Sequence, residues 1–309
     1  GYSSAASDVY KRQNQARNND CGLDEIWLQC YKKNERAFWW MKKIDFTKYT
    51  IETDKFPKDF TGFNFIVMSD LHSNSYGINL HEVNSMIKKA SPDAILMAGD
   101  MINGTVKDDP TDVINYISTL AGHYPVFYAL GNHEYRMKLY DDQYGDKYYT
   151  IRDYLGEKGV VFLEDETITL EKDNAHLALS GLEIDAAFYS KFHKTAMGSG
   201  LVSMHLGEAD KDVYNLMLAH NPEYFNRYAE WGADLVISGH LHGGMVRIPG
   251  LGGMMSPKFK LMPEYDYGMF EYGDSMMLVS RGLGAHTIKV RINNNPELVN
   301  LKILAKSGL

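Results

Sequence analysis

The sequence predicts an α/β fold, on three observations. Between residues 63 and 130, short apolar runs alternate with segments whose apolar residues recur at helical spacing. Each of those runs ends within two residues of an aspartate or asparagine. Past residue 165 the apolar runs resume as a hairpin and further strands, and no stretch rich in Pro, Gly or Ser separates a second domain.

Phe63–Met68 (FNFIVM) reads as a buried strand ending at Ser69-Asp70. Leu80, Val83, Met86, Ile87 and Ala90 share one helical face, and Ser91-Pro92 stops that helix. Ala94–Ala98 is a second strand, ending at Gly99-Asp100. Val113, Ile114, Ile117 and Leu120 mark a second helix, and Val126–Leu130 a third strand ending at Gly131-Asn132-His133. This β-α-β-α-β order implies parallel strands with right-handed crossovers. It puts the polar residues at the carboxyl ends of the strands, where open α/β sheets build their sites. Thr167–Leu170 and Leu177–Ser180 flank Asp173-Asn174 as a hairpin. Tyr214–Ala219 is a strand ending at His220, a helix runs from Pro222 to Trp231, and Leu235–Ser238 ends at Gly239-His240. Gly268–Tyr272, Met276–Ser280 and Leu298–Leu304 read as mixed or antiparallel β.

At 309 residues the chain can bury a substantial core. Residues 44–309 read as a single domain and residues 1–43 as an N-terminal tail. Within the tail, residues 1–13 (GYSSAASDVYKRQ) are polar and patternless and read as a vector or adapter scar. Residues 24–43 read as an amphipathic helix lying on the protein body or on a membrane, with Trp39 and Trp40 among Lys and Arg. A net charge of −8 argues against a nucleic-acid partner, because phosphate contacts need a basic face. The only cysteines, Cys21 and Cys30, precede the domain, so its body has neither a disulfide framework nor a thiolate metal site.

Five strand ends deliver Asp70-Leu-His72, Gly99-Asp100, Gly131-Asn132-His133-Glu134, His220-Asn221 and Gly239-His240-Leu241-His242. Carboxylate, imidazole and amide oxygen suit divalent Mn, Fe or Zn. So many ligands exceed the need of one ion and suit two, held roughly 3.5–4 Å apart by a bridging carboxylate. The glycines before Asp100, Asn132 and His240 are expected to let the backbone turn sharply beneath the ions.

The order D-x-H, G-D, G-N-H-[DE], a lone H and G-H-x-H resembles the calcineurin-like metallophosphoesterase superfamily. The closer likeness is to its bacterial branch of YkuE-type and UDP-2,3-diacylglucosamine-hydrolase-like enzymes. It rests on Ser69–His72, Leu218–Pro222, Gly239–Arg247 and Ser280–Gly284, and covers about Ile44 to Leu304. The resemblance implies an αββα sandwich of two mixed sheets flanked by helices. It implies two divalent metal ions and hydrolysis of a phosphoester or pyrophosphate by in-line attack of a hydroxide bridging them. By the same resemblance Asp70, His72 and His242 hold one ion, Asn132, His220 and His240 the other, and Asp100 bridges. His133 then faces the phosphate as general acid or as a cation against developing charge. Met245 stands where the family usually has Gln, which bears on substrate choice rather than on the chemistry.

Further residues take supporting roles in this reading. Asn103 is a candidate hydrogen-bond partner of the water between the metals. Arg281 binds a substrate phosphate or sits in a structural ion pair. Glu134 braces the loop or a neighbouring histidine. His81, His123, His176, His193 and His205 lack motif context and read as surface or core residues, while His286 follows the SRGLG segment towards the cleft. Met254, Met255 and Met262 lie in a Gly/Pro-punctuated loop, and form either an apolar rim for a lipid substrate or a satellite hydrophobic cluster. The expected partner is a phosphorylated small molecule or a lipid substrate, with peripheral membrane contact in the lipid case. Family members often carry an N-terminal signal or anchor, so membrane-associated and cytoplasmic locations both stay open. A scaffold that binds metal without catalysis is the rival class, and the complete set of expected ligands weighs against it.

Overall fold

The computed structural model describes residues 43–190, 195–244, 247–248, 252–253, 264–285 and 291–306. The proposed helix over 24–43 lies outside these apart from Lys43, as do Trp39, Trp40, His193, Met245, Met254, Met255, Met262 and His286.

The strands are β1 (Asp45–Thr53), β2 (Phe63–Met68), β3 (Ala94–Ala98), β4 (Val126–Ala129), β5 (Val160–Leu163), β6 (Glu166–Lys172), β7 (Ala175–Leu182), β8 (Tyr214–Ala219), β9 (Leu235–Ser238), β10 (Arg247–Ile248), β11 (Gly252–Gly253), β12 (Gly268–Tyr272), β13 (Ser275–Val279) and β14 (Glu297–Ala305). The helices are α1 (Leu80–Ala90), α2 (Thr111–Ala121), α3 (Asn132–Leu139), α4 (Asp141–Tyr144), α5 (Lys147–Glu157), α6 (Leu201–Leu206) and α7 (Phe225–Trp231). One six-stranded sheet has the order β1-β14-β2-β3-β4-β5 and the other β12-β13-β9-β8-β7-β6, while β10 and β11 form a short ribbon. Both large sheets are mixed. The β2-β3-β4-β5 run is parallel and β14 is antiparallel to β2; β7-β8-β9-β13 is parallel, with antiparallel β6 and β12 at the edges.

The two-residue period of the strands builds three apolar layers. Phe65, Val67, Leu96 and Phe127 of one sheet pack with Leu177, Leu179, Leu216, Leu218 and Ile237 of the other. The alternate residues Ile66, Met68, Ile95, Met97 and Tyr128 face outward against Val83, Ile87, Val113 and Ile117 of α1 and α2. On the far side Met217, Val236, Met277 and Val279 meet Phe225, Tyr228 and Trp231. The central strands are therefore mostly apolar on both faces, as strands covered on both sides are. The chain is thus an α/β protein of two mixed sheets with helices outside.

Local signals agree with these elements. Asn79 caps α1, accepting from the N–H groups of His81 at 3.1 Å and Glu82 at 3.4 Å. Ser91 closes the same helix in the left-handed region, at φ 47°. Two parts escape the sequence reading. β1 is an edge strand whose residues are mostly exposed or half-buried, so DFTKYTIET carries no clear apolar alternation. α3 begins inside the GNHE motif and has no apolar stripe to announce it.

Candidate metal centre

The carboxyl ends of β2, β3, β4, β8 and β9 converge where the two sheets meet. The imidazole Nδ1 of His220, at the end of β8, lies 2.6 Å from the carbonyl of Ala98 at the end of β3, and so ties one sheet to the other. A carbonyl can only accept, so Nδ1 is the donor in that bond, and the ring turns Nε2 towards the carboxylates. Nε2 of His220 lies 3.2 Å from Oδ2 of Asp100 and 3.8 Å from Oδ1 of Asp70. His242 Nε2 lies 3.4 Å from the same Asp70 oxygen and 3.2 Å from Nε2 of His72.

Among the described residues, three groups of side chains come close enough to share an ion: Asp70, His72 and His242; His72, Asp100 and His133; and Asp100, His220 and His240. Asp100 and His72 each belong to two of them. Asn132 adds a buried Oδ1 with no hydrogen-bond partner, an acceptor that burial would ordinarily require to be satisfied. This donor set fits hard-to-intermediate divalent cations, since it offers carboxylate, imidazole and amide oxygen and no thiolate. The second group also puts His133 within reach of an ion, so geometry alone allows it as a ligand as well as a proton donor.

The backbone beneath the centre is unusual. Asp70 (φ 52°), His72 (φ 50°), Asp100 (φ 55°), His240 (φ 72°) and His242 (φ 52°) all occupy the left-handed region, which disfavours residues with a Cβ. The glycine expectation needs a correction. Gly99 does have positive φ (87°), but Gly131 sits at −92°. At Gly131 and Gly239 the requirement is space: a Cβ would strike the carboxylates of Asp100 and Asp70 respectively.

Charge is concentrated where water is excluded. Burial raises Asp70 to about 6, against the pull of His220 and with help from the Asp100 charge. Burial likewise opposes ionisation of Asp100, yet His220, His133 and His72 hold it well below its ordinary range. For His220, burial is outweighed by Asp100 and Asp70, and its pKa rises to about 10. His242 moves the other way, to about 3, through burial and the neighbouring Arg291. Attraction between these carboxylates and imidazoles is thus set against the cost of burying both.

Glu134 occupies the bracing position. Its carboxylate accepts from the N–H groups of Asp100 (3.0 Å), Ile102 (3.0 Å) and Gly131 (3.1 Å) and from the Tyr128 hydroxyl (2.7 Å). His133 donates its Nδ1–H to the carbonyl of Asn103, while its own N–H reaches Oδ1 of Asp100 at 2.9 Å. Asn103 also has a buried Oδ1 without a hydrogen-bond partner. Arg281 forms ion pairs, with Nη2 3.1 Å from both Glu297 and Asp45 and its guanidinium over the Tyr267 ring. His205 pairs with Asp165 at 2.6 Å, and the exposed His176 lies on β7.

The sequence reading missed three neighbours. Arg136 places Nη2 3.0 Å from His133 Nδ1 and donates to the Gly104 carbonyl at 2.7 Å; its position one turn after His133 was the available signal. Tyr189 packs edge-on against His240, with centroids 4.9 Å apart. Arg291 binds the carbonyls of Arg281 (2.9 Å), Gly282 (3.1 Å) and Gly284 and approaches His242 Nδ1 at 3.3 Å, and no motif marked it.

The pattern of the calcineurin-like phosphoesterase family matches residues 63–244. The uncharacterized metallophosphoesterase YkuE of Bacillus subtilis is 25% identical over 258 residues, 82% of this chain and 84% of its own length. The phosphodiesterase YaeI of Escherichia coli is 24% identical over 245 residues, 78% of this chain and 82% of its own. The UDP-2,3-diacylglucosamine pyrophosphatase LpxG of Chlamydia trachomatis is 25% identical over 294 residues, 80% of this chain and 86% of its own.

Proposed function

The chain belongs to the calcineurin-like phosphoesterase family and is a metal-dependent phosphoesterase, and from that premise we propose that it hydrolyses a phosphoester or pyrophosphate bond at a two-cation centre. The observation that carries this reading is Asp100, close enough to share an ion with His72 on one side and with His220 and His240 on the other, together with the unpartnered Oδ1 of Asn132. In this reading Asp70, His72 and His242 hold one cation, Asn132, His220 and His240 the second, and Asp100 both. The bound cations supply charge neutralisation at the phosphate and a water acidified for attack at neutral pH.

The remaining work falls to the protein. Glu134 and the Ala98 carbonyl fix the directions of Asp100 and His220, so the ligands need little rearrangement. His133 has its Nδ1 proton held by Asn103, so any second proton sits on Nε2, the atom 3.8 Å from Asp100 Oδ2. Burial lowers the pKa of His133 despite the Asp100 charge, which makes that proton easy to give to a leaving oxygen. The test is elemental analysis combined with turnover of bis(p-nitrophenyl) phosphate, a phosphomonoester and a pyrophosphate diester by Mn-loaded protein. Two bound ions and chelator-sensitive turnover of one of these are expected. Two ions with no turnover of any would leave the scaffold reading standing.

A second reading narrows the substrate to a lipid-sugar pyrophosphate at a membrane surface. It is favoured by the similarity to a UDP-2,3-diacylglucosamine pyrophosphatase and by Met254, Met255, Met262, Trp39 and Trp40 in the sequence. Replacing Met254 and Met255 together by Asp should impair hydrolysis of a detergent-dispersed lipid pyrophosphate and spare a small soluble diester. Equal loss on both substrates would make that loop structural.

A further inference from the structure

Ser73 follows the ligand residue His72 and shares its left-handed backbone, at φ 52°. Its hydroxyl does two things at once. It accepts the N–H of Asn103 at 2.9 Å and donates to Oδ2 of Asp108. Asn103 in turn offers its carbonyl to the Nδ1–H of His133. Asp108 is fixed from the other side, its carbonyl accepting from Lys147 Nζ at 2.7 Å and its N–H reaching the Thr105 carbonyl at 3.0 Å. Between them, the Gly104 carbonyl is held by Arg136 at 2.7 Å and by the Tyr144 hydroxyl at 3.1 Å.

A backbone carbonyl can only accept, so it selects the His133 tautomer with the proton on Nδ1 and turns Nε2 towards Asp100. That selection is only as good as the orientation of Asn103. The peptide N–H of Asn103 is fixed by one oxygen, Ser73 Oγ, and that oxygen is kept from rotating by the Asp108 carboxylate. We propose that Ser73 and Asp108 are positioning residues for the reaction. Their hydroxyl–carboxylate link orients Asn103 so that it holds His133 in one tautomer, and it keeps His133 in register with the turn that carries His72. This inference rests on the proton-donor role given to His133 above.

The chemistry predicts different behaviour from three variants. Ser73→Ala removes both halves of the link. Asp108→Ala leaves a hydroxyl that can still accept but has nothing to aim it. Asp108→Asn keeps an oxygen in place to accept from that hydroxyl. With metal-loaded protein and bis(p-nitrophenyl) phosphate, S73A and D108A should lose about 10- to 100-fold in kcat with little change in KM, the size expected when a reacting group is misplaced by part of an ångström. D108N should recover most of that loss. Metal content should stay at the parent value in all three. In ¹⁵N spectra of zinc-loaded, histidine-labelled protein, with the His133 signals assigned by their absence in His133→Ala, the parent and D108N should show Nδ1–H alone and D108A a mixture of tautomers.

Unchanged kcat in both S73A and D108A would overturn the proposal, as would a loss that follows metal loss, or D108N as impaired as D108A. If D108A does not fold, S73A, which removes a single heavy atom, decides. His133→Ala separates the two levels of the argument. Full turnover in that variant removes the role of His133 itself, whereas an impaired H133A beside normal S73A and D108A removes only the positioning role.

Discussion

Replacing Glu134 by Ala tests what holds the metal-binding loops in place. The side chain is fully buried and receives four hydrogen bonds, from the backbone of Asp100, Ile102 and Gly131 and from the Tyr128 hydroxyl. Each buried donor left without an acceptor costs about 1–3 kcal/mol. The space vacated is polar-lined and takes in water, which puts each donor near the lower figure. Four donors then give a loss of about 4 kcal/mol, a large fraction of the roughly 5–15 kcal/mol available to a domain. Urea unfolding of metal-free protein, compared at one pH, measures it as a lower midpoint with unchanged m. Glu134→Gln keeps one acceptor oxygen but turns an NH₂ towards two of the donors, so its midpoint should fall between those of parent and E134A. Because three of the donors belong to the ligand loops, affinity for both ions should also drop about 10- to 100-fold in E134A. A change under about 1 kcal/mol with the same m would refute the reasoning. It would mean that the loops keep their shape without this carboxylate.

Asp100→Ala should lower the content of both metals in elemental analysis, whereas His72→Ala should weaken one more than the other; two retained ions in D100A would remove the bridging assignment. His133→Ala should keep its metals and lose roughly 10²–10⁴-fold in turnover, the usual size of a general-acid contribution, and metal loss accounting for the whole defect would make it a ligand. Gly99→Ala puts a Cβ 2.5 Å from the Gly131 nitrogen and 2.8 Å from His220 Nδ1 on a backbone at φ 87°, so unfolding free energy should fall by about 2–3 kcal/mol, with metal affinity falling alongside. Burial raises Glu183 above its ordinary 4.5 despite the Lys138 ammonium beside it. Its contribution to stability is therefore complete below pH 4.5 and lost as pH rises through the elevated value, so Glu183→Gln should flatten the fall of unfolding midpoint over that range.

Much of the architecture could be read from the chain because it is written in short-range pattern. β2, β3, β8 and β9 are covered on both faces, so each carries an apolar run of three to five residues, with Asn64, Asn215 and Ser238 only near strand ends. The residues that converge on the centre were legible because each sits immediately past such a run. β1 was not legible, since its stability comes from pairing along its whole length with β14, some 250 residues away, rather than from its own alternation. Arg291 and the Ser73–Asp108 link were hidden for the same reason. Their partners are set by how the 281–285 and 103–108 segments lie against the ligand turns, and no spacing in the chain encodes that. Arg281 shows the limit of composition: nothing near it in the chain announces its ion pairs with Glu297 and Asp45, which only the fold places beside it.

The left-handed backbone at Asp70, His72, Asp100, His240 and His242 has a consequence for how the protein matures. Each such residue costs about 1 kcal/mol or more relative to an unstrained turn, so the five together store on the order of 5 kcal/mol in one rim of the molecule. The buried carboxylates of Asp70 and Asp100 add repulsion between themselves. Newly made protein should therefore have this rim in shape, held by Glu134 and the Ala98 carbonyl, but as its least stable part, with amides of residues 70–74, 100–104 and 239–243 exchanging hydrogen faster than those of β2, β3, β8 and β9. Uptake of the ions should steady that rim and slow exchange there while the sheets beneath hardly change.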